Sequence, residues 1–260
     1  MGITKIQWTE RSWNPITGCS KASAGCQNCY AEAMARRLKG MGVKRYENGF
    51  KVTMHPDALD EPKKVKQPSF FFVCSMSDMF HDDVPFDFVD QIIGVIEDCP
   101  QHTFQLLTKR PWRMLEYFNG HRGRKVPDNV WLGCTVENSY MLPRLFSLKS
   151  VAKPPVRFIS CEPLLDDIAN SDLFDLRGID WVIVGGESGP CARPMSKEWV
   201  LNIKKKCEEA GVPFFFKQWG THGEDGVRRS KEENGCLLDG IEYKQTPEEW
   251  KKREIIEPGR

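Results

Sequence analysis

The sequence predicts an α/β fold with parallel strands, on three observations. Short apolar runs rich in β-branched and aromatic residues recur, continuous rather than alternating, as in strands buried on both faces. Segments with helical spacing lie between them, so strand and helix alternate as in βα units. Each apolar run ends in a polar or charged cluster, as barrel strands do where their carboxyl ends converge on one rim.

In chain order, a first strand is expected within 5–13, followed by SFFFVCS at 69–75, TFQLLT at 103–108 and VWLGCTV at 130–136. VRFISCE at 156–162, DWVIVGG at 180–186 and VPFFFKQ at 212–218 complete the set. Helices are expected over 86–97, 111–118, 139–148 and 196–210. Pro111 sits just inside one helix start and Gly211 just past a helix end, where a missing N–H and a left-handed backbone are tolerated. About seven strands are more than a small open sheet needs and fewer than a full eight-fold barrel. A partial or imperfect TIM-type (βα) barrel is therefore the preferred fold, with a doubly wound open sheet second. The barrel is expected over 1–220. Within it, a polar, Gly- and Lys-containing insertion at 40–67 is long enough to serve as a lid or substrate loop. The charged extension 221–260 has few apolar anchors beyond Leu237, Leu238, Ile241, Tyr243 and Trp250, and is expected to pack lightly.

A chain of 260 residues, 40% of them hydrophobic, can bury a sizeable core. Its first residues, MGITKIQWTERSW, lack the apolar region of a secretory signal, and no run approaches the roughly 18 apolar residues of a membrane span. Ile6 stands where a myristoylation signal wants Ser or Thr. A cytoplasmic chain with no membrane partner is expected. Formal net charge is only +1, so no global field attracts a polyanion. Local basic groups occur at Lys109, Arg110 and Arg113, at His121, Arg122, Arg124 and Lys125, and at 204–206; each alone reads as a solvated face. Ten cysteines in a reducing compartment point to metal ligation or packing rather than disulfides.

The segment GCSKASAGCQNCYAEAMARR concentrates that chemistry. Cys19, Cys26 and Cys29 have the spacing CxxxxxxCxxC at the mouth of a helix, and the next cysteine, Cys74, lies in a predicted strand. A structural zinc site normally closes with four protein ligands, whereas an iron–sulfur cluster held by three cysteines leaves one iron open. A zinc with a fourth ligand elsewhere stays open at this point. The strand ends add Ser75, Ser77 and Asp78; Thr108, Lys109 and Arg110; Thr135, Glu137 and Asn138; Ser160 and Glu162; Gly185, Gly186, Glu187 and Ser188; Lys217 and Gln218.

Three cysteines in a loop after the first strand, ahead of a helix and a βα barrel, resemble the radical S-adenosylmethionine (SAM) superfamily. The commonest form of that motif has three residues between its first two cysteines and an aromatic before the third. Here there are six residues, Asn28 precedes Cys29, and Tyr30 follows it. The blocks WNPITGCSKASAGCQNCYAEAMARR, FVCSMSDMFHDDVP, FQLLTKRPWRM, VWLGCTVEN, RFISCEPLL, WVIVGGESGPCARPM and GVPFFFKQWG are similar to a phage- and prophage-associated, radical-SAM-like three-cysteine family without an assigned substrate.

The resemblance implies a 4Fe–4S cluster on Cys19, Cys26 and Cys29, with SAM on the open iron and a reducing electron donor as partner. By position it implies SAM contacts at Ser75, Ser77 and Asp78, where the superfamily carries a glycine-rich element. Lys109 or Arg110 is the candidate for the SAM carboxylate, and Glu137 or Asn138 for the ribose hydroxyls. Glu162, Gly185 and Gly186 are further cofactor-binding candidates, the glycines by letting backbone approach a ligand. Asp78, Glu187 and Lys217 are the catalytic candidates. Phage association implies a nucleotide or DNA substrate, such as a modified pyrimidine whose substituent is rearranged. Two alternatives stand beside this one: a zinc- or cluster-bearing nucleic-acid-binding module without turnover, and a hydrolytic barrel using Glu137, Glu162 and Glu187.

Overall fold

The structure, a computed structural model, describes residues 2–120, 123–152, 154–248 and 250. Its parallel strands are β1 (Arg11–Trp13), β2 (Phe70–Val73), β3 (Thr103–Thr108), β4 (Val130–Thr135), β5 (Val156–Cys161), β6 (Trp181–Gly185) and β7 (Phe214–Gln218). The helices are α1 (Tyr30–Gly40), α2 (Phe86–Glu97), α3 (Pro111–Asn119), α4 (Pro143–Ser150), α5 (Lys197–Ala210) and the short α6 (Lys231–Asn234). The sheet takes its strands in sequence order, with a two-residue antiparallel strand, Gly2–Ile3, beside β1. Seven parallel strands with helices between them are the partial TIM-type α/β arrangement that the alternating pattern predicts. No helix among the described residues is long and apolar enough to cross a membrane. The chain divides into two compact units, 1–134 with 146–155, and 135–145 with 156–260.

In the first unit all four residues of β2 are buried, which is why FFFV reads as a continuous apolar run. Phe71 pairs in register with Arg11 on one side and Phe104 on the other. Its ring stacks on Phe104 at 5.4 Å, and Trp13 meets Phe104 edge-on at 5.8 Å. Helix α2 buries Phe88, Val89, Ile92, Ile93 and Ile96, the i, i+4, i+8 stripe that made its bounds legible. The first strand is only three residues long, because residues ahead of it turn back and Thr4 N–H bonds the carbonyl of Glu10.

The 40–67 insertion packs on β1 and the residues that follow it. Thr53–Met54 pairs antiparallel with Ile16–Thr17, and Trp13 Nε1 donates to the Ala58 carbonyl at 2.8 Å. Buried His55 meets Thr17 Oγ1 at 2.8 Å. Gly18 makes this approach possible: its φ is +79°, and a Cβ there would lie 2.1 Å from the Lys51 carbonyl oxygen.

In the second unit β5, β6 and β7 pair in parallel, Phe158 opposite Trp181 and Phe214 opposite Val182. Val200, Ile203 and Cys207 form the buried stripe of α5, which Gly211 ends in the left-handed conformation. The described part of the extension is better anchored than its composition predicts. Phe216 N–H bonds the Tyr243 carbonyl and Gln245 N–H the Phe214 carbonyl. Trp181 Nε1 donates to the Gln245 carbonyl at 2.9 Å and Trp219 Nε1 to that of Leu237 at 2.7 Å. Backbone pairing with the outer edge of β7 holds this segment, and apolar counting does not see backbone pairing. Residues 249 and 251–260 of the extension lie outside the described residues.

Candidate functional site

The cysteine loop belongs wholly to the first unit. Cys26 ends a 3-10 turn, Ala24–Cys26, and Cys29 is the N-cap residue of α1. All three thiols are free and half-buried. The loop is fastened to the segment after β2. Gly18 N–H donates to the Met76 carbonyl at 3.0 Å, and Ser77 Oγ donates to the Gly18 carbonyl at 2.5 Å. Asn14 ties the same segment to β1, its Nδ2 3.1 Å from Ser75 Oγ and its Oδ1 accepting from Met76 N–H at 2.9 Å. Tyr30 hydroxyl donates to the Ser75 carbonyl. Ser75 and Ser77, expected as SAM contacts, therefore have internal partners that lock the cysteine loop.

Arg110, at the end of β3, is 3% exposed and reaches back to that loop. Its Nη2 donates to the Ser20 carbonyl at 3.1 Å and to Ser20 Oγ at 2.9 Å. Its Nη1 lies 3.7 Å from Cys19 Sγ and 3.4 Å from Asp78 Oδ2, and its Nε lies 3.4 Å from Asp82 Oδ2. A guanidinium has five N–H donors. Arg110, expected as a candidate for the SAM carboxylate, turns all five toward groups of the chain.

Asp78 is 5% exposed and equally occupied. Its Oδ1 accepts from Thr108 Oγ1 at 2.7 Å and Phe80 N–H at 3.0 Å, and its Oδ2 from Lys109 N–H at 3.0 Å and Arg110. A carboxylate holding these bonds orients Arg110. His81 completes the group. Asp83 N–H donates to its Nδ1 at 3.0 Å, so Nε2 carries the proton and donates to Ser20 Oγ at 2.7 Å. Burial, and then Arg110, hold its pKa below the ordinary histidine value. Burial, with Asp78 next, pushes the Cys19 thiol up to about 11 against the opposing pull of Arg110.

Three soft thiols on one ordered loop are the donor set of a three-cysteine cluster. Among the described residues no group of three or more His, Cys, Asp or Glu side chains converges on a single ion. A closed zinc site requires four donors at about 2.0–2.3 Å from one point, whereas a cluster takes each thiolate on a different iron and accepts wider spacing. Three soft thiols suit iron–sulfur ligation, and suit zinc only with a fourth donor.

The second unit holds the remaining rim candidates, and the structure separates them sharply. Glu137 is 0% exposed and pairs with buried Arg144 at 2.9 Å; Arg144 also donates to the Thr135 carbonyl at 3.0 Å. Glu137, expected at a ribose, thus has no exposed surface and an arginine partner. Asn138 beside it is half-buried, and its Oδ1 is buried with no hydrogen-bond partner. Glu187 receives Arg193 in a fork, Nε at 2.8 Å and Nη2 at 2.6 Å, with Arg193 N–H adding a third bond at 2.8 Å. That fork braces the loop after β6.

Gly185 and Gly186 do permit close approach, but to protein atoms. A Cβ on Gly185 would lie 2.6 Å from Glu162 Oε1, and one on Gly186 1.8 Å from the Trp219 carbonyl oxygen. Glu162 and Lys217 form an ion pair at 2.8 Å, with side chains 15% and 23% exposed, and Ser160 Oγ donates to Glu162 Oε2 at 3.1 Å. This is the one expected acid–base set of the rim that retains access.

Other basic groups are also in use. Arg113 donates to the Val84 carbonyl at 3.0 Å and lies 4.4 Å over the Phe86 ring, and Arg124 pairs with Glu97 and Asp90. Lys109 is half-exposed, and His121 and Arg122 lie outside the described residues. Trp219 is 1% exposed and belongs to the core. Asn14, Ser20, Asp82, Arg144 and Arg193 were not singled out from sequence. Ser20, next to Cys19, Arg193, in the loop after Gly-Gly-Glu, and Arg144, seven positions from Glu137, were within reach of local reading; Asn14 and Asp82 act through long-range pairs that leave no local mark.

Parallel βα units with a three-cysteine loop after the first parallel strand define an α/β protein of the partial-barrel class carrying a cysteine-loop site. The chain belongs to the family described as "Protein of unknown function (DUF5131)", whose model matches residues 3–247. No curated protein matches the sequence. Among solved structures it is similar to spore photoproduct lyase complexed with dinucleoside spore photoproduct, at 14% identity and a TM-score of 0.48, over 80% of this chain and 63% of that one. It is also similar to a mutant of that lyase with bound AdoMet and dinucleoside spore photoproduct, at 15% identity and a TM-score of 0.47 with the same coverage. The chain thus spans 63% of the length of these solved chains.

Proposed function

We propose that the protein is a radical SAM enzyme in which Cys19, Cys26 and Cys29 hold a 4Fe–4S cluster. The observation that carries this reading is the loop itself: three half-buried thiols on one segment, fastened by Ser77, Arg110 and Ser20. When bound, such a cluster with an open iron supplies the electron that cleaves SAM to a 5′-deoxyadenosyl radical. The chain's own contribution is to order the thiols before loading. Glu162 and Lys217 are the rim residues proposed to hold or move a proton at the substrate. A reducing electron donor is a required partner.

For the substrate we keep to a nucleotide or DNA, a modified pyrimidine being the class that the phage-family resemblance suggests. That part rests on the resemblance alone, because Arg110 and Arg113, basic groups that would suit a phosphate, have internal partners.

The test is iron, acid-labile sulfide and zinc in anaerobically purified protein, beside a triple variant Cys19→Ala, Cys26→Ala and Cys29→Ala. About four irons and four sulfides per chain, lost in the variant and accompanied by 5′-deoxyadenosine formation from SAM, is the expected result. Stoichiometric zinc that survives iron–sulfide reconstitution overturns the reading in favour of the binding module. SAM cleavage indifferent to every nucleotide and DNA supplied overturns the substrate part only.

A further inference from the structure

We propose that Arg110 is a positioning residue that clamps the Cys19 end of the loop and, in the cluster-loaded protein, donates a charge-assisted hydrogen bond to the Cys19 sulfur that raises the cluster's reduction potential. The inference rests on the cluster reading above and assigns Arg110 a role different from the SAM contact that position alone suggests.

The geometry carries it. The Arg110 side chain is almost wholly buried, and four of its contacts run to Cys19, Ser20 and Asp78. Asp78 and Asp82 flank the guanidinium, so its orientation is set before any cluster binds. His81 pins Ser20 Oγ from the other side, and Ser20 is the residue after Cys19. The Arg110 Nη1 already faces Cys19 Sγ at 3.7 Å, within reach for a sulfur acceptor. Turning that sulfur from thiol to iron-bound thiolate places negative charge beside a fixed cation in a poorly hydrated site, which strengthens the contact. Reduction adds a further negative charge to the cluster, and a hydrogen-bonded cation at one sulfur favours the reduced form.

The experiment uses the full chain loaded with cluster. Wild-type protein grown on 15N-arginine is reduced and examined by pulsed electron paramagnetic resonance for a guanidinium nitrogen coupled to the cluster. The Arg110→Lys variant is then compared for iron and sulfide content and by redox titration. The expected result is an arginine coupling in the wild type that disappears in the variant. At the potential where the wild-type cluster is half reduced, the variant's reduced-to-oxidised ratio is expected to be about tenfold lower, ~59 mV for one electron. A wild-type cluster with no arginine coupling overturns this inference and leaves the radical SAM reading intact. An unchanged midpoint in a fully loaded Arg110→Lys protein also overturns it. If the variant fails to load, the wild-type coupling decides alone. A wild-type chain that takes up no cluster overturns both.

Discussion

The pair Glu137–Arg144 offers a quantitative test of whether a rim carboxylate acts as strut or ligand. Glu137 is 0% exposed and Arg144 5%, and they meet at 2.9 Å while Arg144 also caps the Thr135 carbonyl. Replacing Arg144 by Met removes the cation 2.9 Å from a buried carboxylate and one donor to the Thr135 carbonyl. Breaking a buried pair from one side costs about 3–5 kcal/mol. For a chain of this size that lowers the melting temperature on the order of 10 °C. Replacing both partners, Glu137→Leu with Arg144→Met, removes the charge and the counter-charge together and is expected to recover most of the loss. Urea denaturation of the wild type, each single variant and the double variant measures the coupling between them. Two results refute the reasoning: an Arg144→Met cost below about 1 kcal/mol, or a double variant that is worse than the sum of the singles. If Glu137 held a ribose instead, Glu137→Gln would weaken SAM binding with little change in the urea midpoint; the structure predicts the reverse.

Two further outcomes follow from single positions. His55 and His81 both have pKa values lowered first by burial, so between about pH 6.5 and their folded values the unfolded chain binds more protons. Their contribution is fully present above about pH 6.5 and is lost as pH falls below it; urea midpoints that rise as pH falls from 7.5 to 5.5 would contradict this. Gly186→Ala sets a Cβ against the Trp219 carbonyl and is expected to destabilise by about 1–3 kcal/mol, as over-packing does. Gly94→Ala in α2 meets nothing within 4 Å and is expected to stabilise by up to about 1 kcal/mol. Equal effects of the two on the urea midpoint would refute the close approach at Gly186.

Much of the architecture was legible in the linear chain, because periodicity is a local property. The bounds of α2 follow from the spacing of Phe88, Ile92 and Ile96, and β2 from a run, FFFV, too apolar to face water. The three cysteines stood out because their ligand chemistry is carried within one loop, and Gly211 marked the end of α5 because left-handed backbone is a local demand. The roles of the charged rim residues were not legible in the same way. Arg110 and Ser20 are 90 positions apart, and Asp78 and Arg110 are 32 apart. Hydrogen bonds across such separations depend on which strands become neighbours, and composition at a strand end does not reveal whether a carboxylate faces a ligand or an arginine.

By itself, then, the sequence determined the parallel α/β framework, the order of its elements and the loop that gathers three thiols. The tertiary structure alone decided that Asp78, Arg110, Glu137 and Glu187 have internal partners, while Glu162 and Lys217 keep access to solvent. The physical reason is that a buried charge must be paired, and for Asp78 and Arg110 the partner stands 32 positions away and is brought near only by folding.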